Sequence, residues 1–263
     1  MRPVNAAIAA LCVVSGGFVS PFPLVLKTLF ASASIFFLTL GGNVINDYFD
    51  REVDKINRPE RWIPSGKMKA KDMVFLSILL FFIGLVSAYL SGIIIFFIDL
   101  FIVTFLILYT PFFKPRPLIG NVVVAFLAAL VFPIGALSTG SIRGSLFPFI
   151  FAFLIQFSRE LTKDIEDISG DMVLKMRTFP ILFGENNAKK IILSLLYLLF
   201  FATVVSIFFY PVIFRISMII LVDIPLIFVI ILIYRKLEWS KLQRILKILM
   251  VSGLIAITTG GIR

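Results

Sequence analysis

Residues 46–61 read "NDYFDREVDKINRPER" and follow "ASIFFLTLGGNVI" at 33–45, a run suited to hydrocarbon. If one helix carries through from the apolar run into the charged one, Asp47, Asp50 and Asp54 fall at i, i+3 and i+7 on a single face. Asn43 lies one turn earlier on that face. Like charges stacked at the end of a membrane helix repel and are costly to hold near lipid, so this face needs counter-charges or a ligand.

The same spacing recurs in "SRELTKDIEDISGD" at 158–171, with Asp164, Asp167 and Asp171, and Glu160 one turn before them. Each cluster is followed by a polar connection, at roughly 51–71 and 166–188, longer than a helical bundle needs. Solvated charges paired with neighbouring lysines and arginines would account for one such cluster. Two clusters of identical spacing point instead to a shared task.

The rest of the chain fixes the setting. It is 60% hydrophobic with 30 phenylalanines in 263 residues, far more apolar than a soluble domain. Apolar runs and their breaks give nine candidate helices near 3–20, 23–50, 72–90, 93–110, 117–138, 145–165, 189–209, 212–234 and 241–261. The breaks carry turn chemistry: "SPFP" at 20–23, "SG" at 91–92, "KPRP" at 114–117 and "STGSIRG" at 138–144. The first run has only Arg2 ahead of it and many spans behind it, so it reads as a span and not as a cleaved leader. With the N-terminus inside, 21 of the 25 basic residues fall on the inner side, leaving Lys27, Arg143, Arg215 and Arg263 outside. That bias sets the orientation and puts the C-terminus outside. It also explains the net charge of +10 without any nucleic acid. The expected fold is an all-α integral membrane protein, one domain over 1–263: nine transmembrane helices with two cytoplasmic cap segments.

Cys12 is the only cysteine and there is no histidine. An intrachain disulfide and a His-ligated zinc, haem or iron site are therefore excluded, and any metal must take oxygen ligands, as Mg²⁺, Mn²⁺ or Ca²⁺ do. Asp47, Asp50, Asp54, Asp164, Asp167 and Asp171 are the candidate ligands. Two facing carboxylate walls bridged by Mg²⁺ can clamp a diphosphate, with Lys55, Arg58, Arg61, Lys163 and Arg177 as further donors to its oxygens. An apolar bundle beneath such a site suits an isoprenyl diphosphate.

At these residues the chain resembles the UbiA superfamily of intramembrane prenyltransferases. Asn46, Asp47, Asp50 and Asp54 match the family's N-D-x-x-D-x-x-x-D, and Asp164, Asp167 and Asp171 match its second aspartate-rich motif. "RWIPSG" at 61–66 stands where the family has R-P-x-P-S-G, with Trp62 replacing proline. "TFPILFG" at 178–184 has Phe179 where T-L-P has leucine. Within the family the two stretches are most similar to members that alkylate a glyceryl phosphate in archaeal ether-lipid synthesis. The resemblance implies ionisation of a prenyl diphosphate with Mg²⁺ as cofactor, and capture of the allylic cation by a lipid-phosphate acceptor. It implies Asn46, Asp50, Asp54 and Tyr109 as catalytic residues. Tyr109, which also reads as an interfacial belt tyrosine, would stabilise the cation. Lys114 and Arg116 would bind phosphate, and Asn43 would support the site.

Two further acids, Asp99 and Asp223, fall within apolar runs away from that rim and read as polar contacts between helices. Two rival functions remain: an aromatic-acceptor prenyltransferase of quinone synthesis, and a secondary transporter. No nucleic acid is expected, and nothing in the sequence gives ground for inferring a protein partner.

Overall fold

The computed structural model describes residues 3–20, 26–57, 59–173, 176–235 and 237–261. These form helices α1 (Pro3–Phe18), α2 (Leu26–Phe49), α3 (Arg51–Asn57), α4 (Ala70–Ser91), α5 (Ile93–Phe113) and α6 (Ile119–Ser138). They continue with α7 (Leu146–Glu166), α8 (Ile168–Val173), α9 (Phe179–Phe183), α10 (Glu185–Ser206), α11 (Val212–Tyr234) and α12 (Trp239–Thr258). There is no strand among the described residues.

Six of these, α2, α4, α5, α6, α10 and α11, are long and apolar enough to cross a membrane. The sequence suggested nine, and the other three depart for identifiable reasons. Helix α1 has only 16 residues. Helix α7 carries Arg159, Glu160, Lys163, Asp164 and Glu166 in its last turns, and α12 carries Lys241, Arg244 and Lys247 in its first turns.

Large apolar side chains cover the outside: Phe75, Phe82, Phe201 and Phe228 are all exposed. A surface of this kind is stable only against lipid. Inside, α2 packs along α4, while α7 is flanked by α6, α10 and α12. Helix α1 crosses the second half of α6 so closely that a Cβ on Gly135 would meet the Val13 carbonyl oxygen at 1.9 Å. Small residues permit such backbone approach between membrane helices.

Prolines shape three of the spans. Pro111, Pro133 and Pro225 each lack the N–H that closes a helical turn. Helix α5 accordingly ends in a wide turn over Tyr109–Phe113, closed by Lys114 N–H to the Tyr109 carbonyl at 2.8 Å. Helix α6 breaks at Leu130, and α11 carries a second wide turn over Ile219–Asp223. Wide turns of this type often mark functional positions.

The two intramembrane acids make contacts between helices, as their positions suggested. Ser34 on α2 donates to Asp99 on α5, and Thr203 on α10 donates to Asp223 on α11 at 2.6 Å. Between α3 and α4, Trp62, Ile63 and Met68 pack onto a cluster that includes Leu40, Val44 and Met73. That packing lays the 59–69 segment against the ends of α2 and α4.

Candidate active site

Helix α2 ends at Phe49, one residue before the middle aspartate of the first cluster, and α3 carries Asp54. Asp50 N–H still bonds the Asn46 carbonyl at 2.9 Å, and Asp54 N–H bonds the Asp50 carbonyl at 2.8 Å. The helical spacing therefore survives across the break, and the three carboxylates stay on one face.

Basic side chains hold this face. Arg61 Nη1 lies 2.5 Å from Asp54 Oδ2 and 3.1 Å from Asp47 Oδ1, so one guanidinium nitrogen spans the i, i+7 pair. Lys114 Nζ donates to both oxygens of Asp50, at 2.7 and 2.8 Å. Asn46 Nδ2 donates to Asp50 Oδ2 at 3.0 Å, and its own carbonyl accepts from Thr110 Oγ1 at 2.8 Å. Asp54 is buried, and burial, outweighing its bond to Arg61, raises its carboxyl above the ordinary range.

The second cluster repeats the backbone and not the pairing. Helix α7 ends at Glu166, again one residue before the middle aspartate, and α8 carries Asp171. Asn121 Nδ2, from the first turn of α6, donates to Asp164 Oδ2 at 2.8 Å. Gln156 and Arg159 take up Glu160, at 2.9 and 3.0 Å. Asp167 and Asp171 accept no side-chain hydrogen bond and make no ion pair among the described residues. Burial, reinforced by the charge of Asp167, raises the Asp171 carboxyl.

The turn that carries Tyr109 leads to both clusters: Thr110 and Lys114 bond Asn46 and Asp50, and Asn121, in the first turn of α6, bonds Asp164. Tyr109 itself lies within electrostatic reach of Asp50, Glu160 and Asp164. Lys114, bound to Asp50, also reaches the field of Asp171. The aspartates at the ends of α2 and α7 are thus both bonded by the stretch that runs from the wide turn of α5 to the first turn of α6.

The remaining candidates divide. Asn43 stands one turn below Asp47 with its buried Nδ2 unpartnered. Lys163 lies 3.8 Å from Glu160 at the edge of the second cluster. Lys55 turns away from the aspartates to Glu52, at 2.7 Å on the exposed face of α3. Arg116 and Arg177 are exposed and make no ion pair among the described residues. Arg58 lies outside the described residues. Thr110, Asn121 and Gln156 were not anticipated, although the last two are lone polar residues in the apolar stretches "LIGNVVVAF" and "FAFLIQF".

The donor set suits a hard divalent cation. It is all oxygen, Asp47 Oδ1 is buried with no aligned hydrogen bond, and Asp167 and Asp171 carry no competing cation. No three acidic residues among those described gather closely enough to hold an ion by themselves. Mg²⁺ usually takes one or two carboxylates and completes its shell with water and substrate phosphate, which matches walls open to a diphosphate.

The UbiA prenyltransferase family model matches residues 4–251. The chain belongs to the UbiA prenyltransferase family. Among UbiA proteins it is 41% identical to the digeranylgeranylglyceryl phosphate synthase of Pyrococcus horikoshii over 192 residues, 72% of this chain and 69% of that one. It superposes with a TM-score of 0.83 and 29% identity on a structure described as giving insight into digeranylgeranylglyceryl phosphate synthase in membranes, covering 99% of this chain and 95% of that one. A UbiA homologue from Archaeoglobus fulgidus, bound to GPP and Mg²⁺, shares the fold at a TM-score of 0.76 and 18% identity, with 97% of each chain covered.

Proposed function

We propose that this protein transfers a geranylgeranyl group from geranylgeranyl diphosphate to the hydroxyl of geranylgeranylglyceryl phosphate, with Mg²⁺, making the second ether bond of archaeal membrane lipids. The observation that carries the reading is that one stretch of chain, residues 110–121, bonds both clusters at one end of an apolar bundle: Thr110 and Lys114 hold Asn46 and Asp50, and Asn121 holds Asp164. The likeness to digeranylgeranylglyceryl phosphate synthases supports the choice of substrates.

Asp47, Asp50, Asp54, Asp164, Asp167 and Asp171 would hold Mg²⁺, which when bound neutralises charge on a departing diphosphate. Arg61, Lys114 and Lys163 supply donors for the diphosphate oxygens. Asn46 and Asn121 fix the carboxylates of Asp50 and Asp164. The donor's C1–O bond breaks, and its electron pair leaves with the diphosphate. Tyr109 offers its ring face or hydroxyl to the allylic cation. The acceptor hydroxyl oxygen then forms the new C–O bond, and its proton passes to a wall carboxylate or to the released diphosphate. No histidine is required.

In this reading α1, α7 and α12 also cross the bilayer, giving nine spans in a single domain over 1–263. The aspartate-bearing end faces the cytoplasm, where most of the basic residues gather. The segments following the two clusters cap the site, the N-terminus is inside and the C-terminus outside.

The test is a transfer assay on purified protein with labelled geranylgeranyl diphosphate, offering geranylgeranylglyceryl phosphate or 4-hydroxybenzoate, with Mg²⁺ or EDTA. Mg²⁺-dependent product from the glyceryl phosphate alone is expected. Product from the benzoate alone would move the enzyme to quinone synthesis, and substrate-coupled ion flux without product would make it a transporter.

A further inference from the structure

In the first cluster, two cations already sit on the oxygens that a divalent metal needs. Arg61 covers Asp54 and Asp47 through one nitrogen, and Lys114 covers both oxygens of Asp50. The site is well shielded, with Asp47 and Asp50 each 12% exposed and Arg61 15%. Two cations against three aspartates leave one negative charge.

We propose that Arg61 and Lys114 are exchangeable counter-ions that make metal and diphosphate bind the first cluster together. This rests on the diphosphate-site reading above and adds to it a coupling between the two ligands.

The argument is electrostatic. A metal arriving alone must displace a guanidinium or an ammonium from its carboxylate. Partly buried cations stripped of their anions are strongly unfavourable. A diphosphate arriving alone faces three aspartates whose counter-charges are already engaged. When both arrive, the metal takes carboxylate oxygens while Arg61 and Lys114 move to phosphate oxygens, so neither cation is left without an anion. Each ligand then raises the affinity for the other by the same factor, as linkage requires.

The exchange has a structural basis. Lys114 follows the wide turn at the end of α5, and Arg61 stands on the non-helical 59–69 segment. Both reach the aspartates through long side chains, so neither needs a transmembrane helix to move. In the second cluster Asp167 and Asp171 carry no such pairing among the described residues, so the coupling belongs to the first cluster.

The experiment uses the purified full chain, in wild-type, Arg61→Gln, Lys114→Gln and Lys71→Gln forms. Lys71 is exposed on α4 and makes no ion pair among the described residues, so its replacement removes the same charge without disturbing either cluster. Circular dichroism melts show that each variant is folded. Mn²⁺ binding is followed by electron paramagnetic resonance with no diphosphate present. Retention of labelled inorganic diphosphate is then measured as Mn²⁺ is raised.

Arg61→Gln and Lys114→Gln are each expected to bind free Mn²⁺ about fivefold more tightly or better, yet to retain diphosphate about fivefold more weakly at equal Mn²⁺. Lys71→Gln should match wild type in both measurements. Unchanged or weaker Mn²⁺ binding in the site variants would overturn the exchange, because the cations would then only position the carboxylates. So would undiminished diphosphate retention, or a Lys71→Gln variant that behaves like Arg61→Gln. If wild type retains no diphosphate at any Mn²⁺ concentration, the diphosphate-site reading itself falls and takes the exchange with it.

Discussion

Both aspartate clusters straddle a helix end, α2 stopping at Phe49 and α7 at Glu166, each one residue before the middle aspartate. Their backbones match, with Asp54 bonded to Asp50 and Asp171 bonded to Asp167 along the same i→i−4 path. Their surroundings do not. The first cluster is held by two cations and an amide, the second by the Asn121 amide at Asp164, with Asp167 and Asp171 left bare among the described residues. Like spacing in a sequence therefore does not mean like electrostatics. The first face is largely offset by side chains of this protein, whereas two carboxylates of the second carry no counter-charge among the described residues.

The sharpest way to break the pairing of the clusters is to remove one middle aspartate at a time. Asp50→Ala and Asp167→Ala should each lower kcat/KM for transfer by about 10³-fold or more, the scale seen when a group stabilising transition-state charge is lost. Near-normal turnover of either variant at saturating Mg²⁺ would show that the clusters do not work as one site. Chelation tests both together: EDTA should abolish transfer, and added Mg²⁺ should restore it.

A finer contrast follows from the amides. Asp164 depends on Asn121, whereas Asp50 is held by Lys114 as well as Asn46. Asn121→Leu should weaken Mg²⁺-dependent activity by about 10- to 100-fold, the range for partners that orient metal ligands. Asn46→Leu should cost less, and a Mg²⁺ titration of initial rates compares the two. Thr110→Val removes one hydrogen bond from Asn46, and should lower the rate by only about 2- to 10-fold. Smallest of all, Asp99→Asn should leave transfer unchanged and shift stability in a thermal melt by no more than about 1 kcal/mol, since Asp99 contacts α2 far from the site.

Much of this site could be read from the chain. The i, i+3, i+7 aspartates and the helix–helix contacts of Asp99 and Asp223 follow from spacing and residue type, whereas Arg61 and Lys114, expected as donors to phosphate, pair here with the aspartates themselves. What could not be read was selection among equivalents. Lys55, Arg58 and Arg61 are close in sequence, but Arg61 reaches the aspartates because the chain doubles back where Trp62, Ile63 and Met68 pack against α2 and α4. Lys55, one residue from Asp54, is carried to the exposed side of α3 instead. Asn121 and Gln156 were visible as isolated amides in apolar runs, but Asn121 finds its partner, Asp164, on another helix, whereas Gln156 meets Glu160 one turn along its own. Pro111, Pro133 and Pro225 marked the interruptions of α5, α6 and α11, though not whether each becomes a wide turn or a kink.

The central claim is that both clusters grip one metal-bound diphosphate. Mg²⁺-dependent binding of labelled geranylgeranyl diphosphate tests it most directly, in wild type, Asp50→Asn, Asp167→Asn and the double variant. Each single variant should fall to the level that wild type shows in EDTA, and the double variant should fall no further. A single variant that still binds like wild type would contradict the claim.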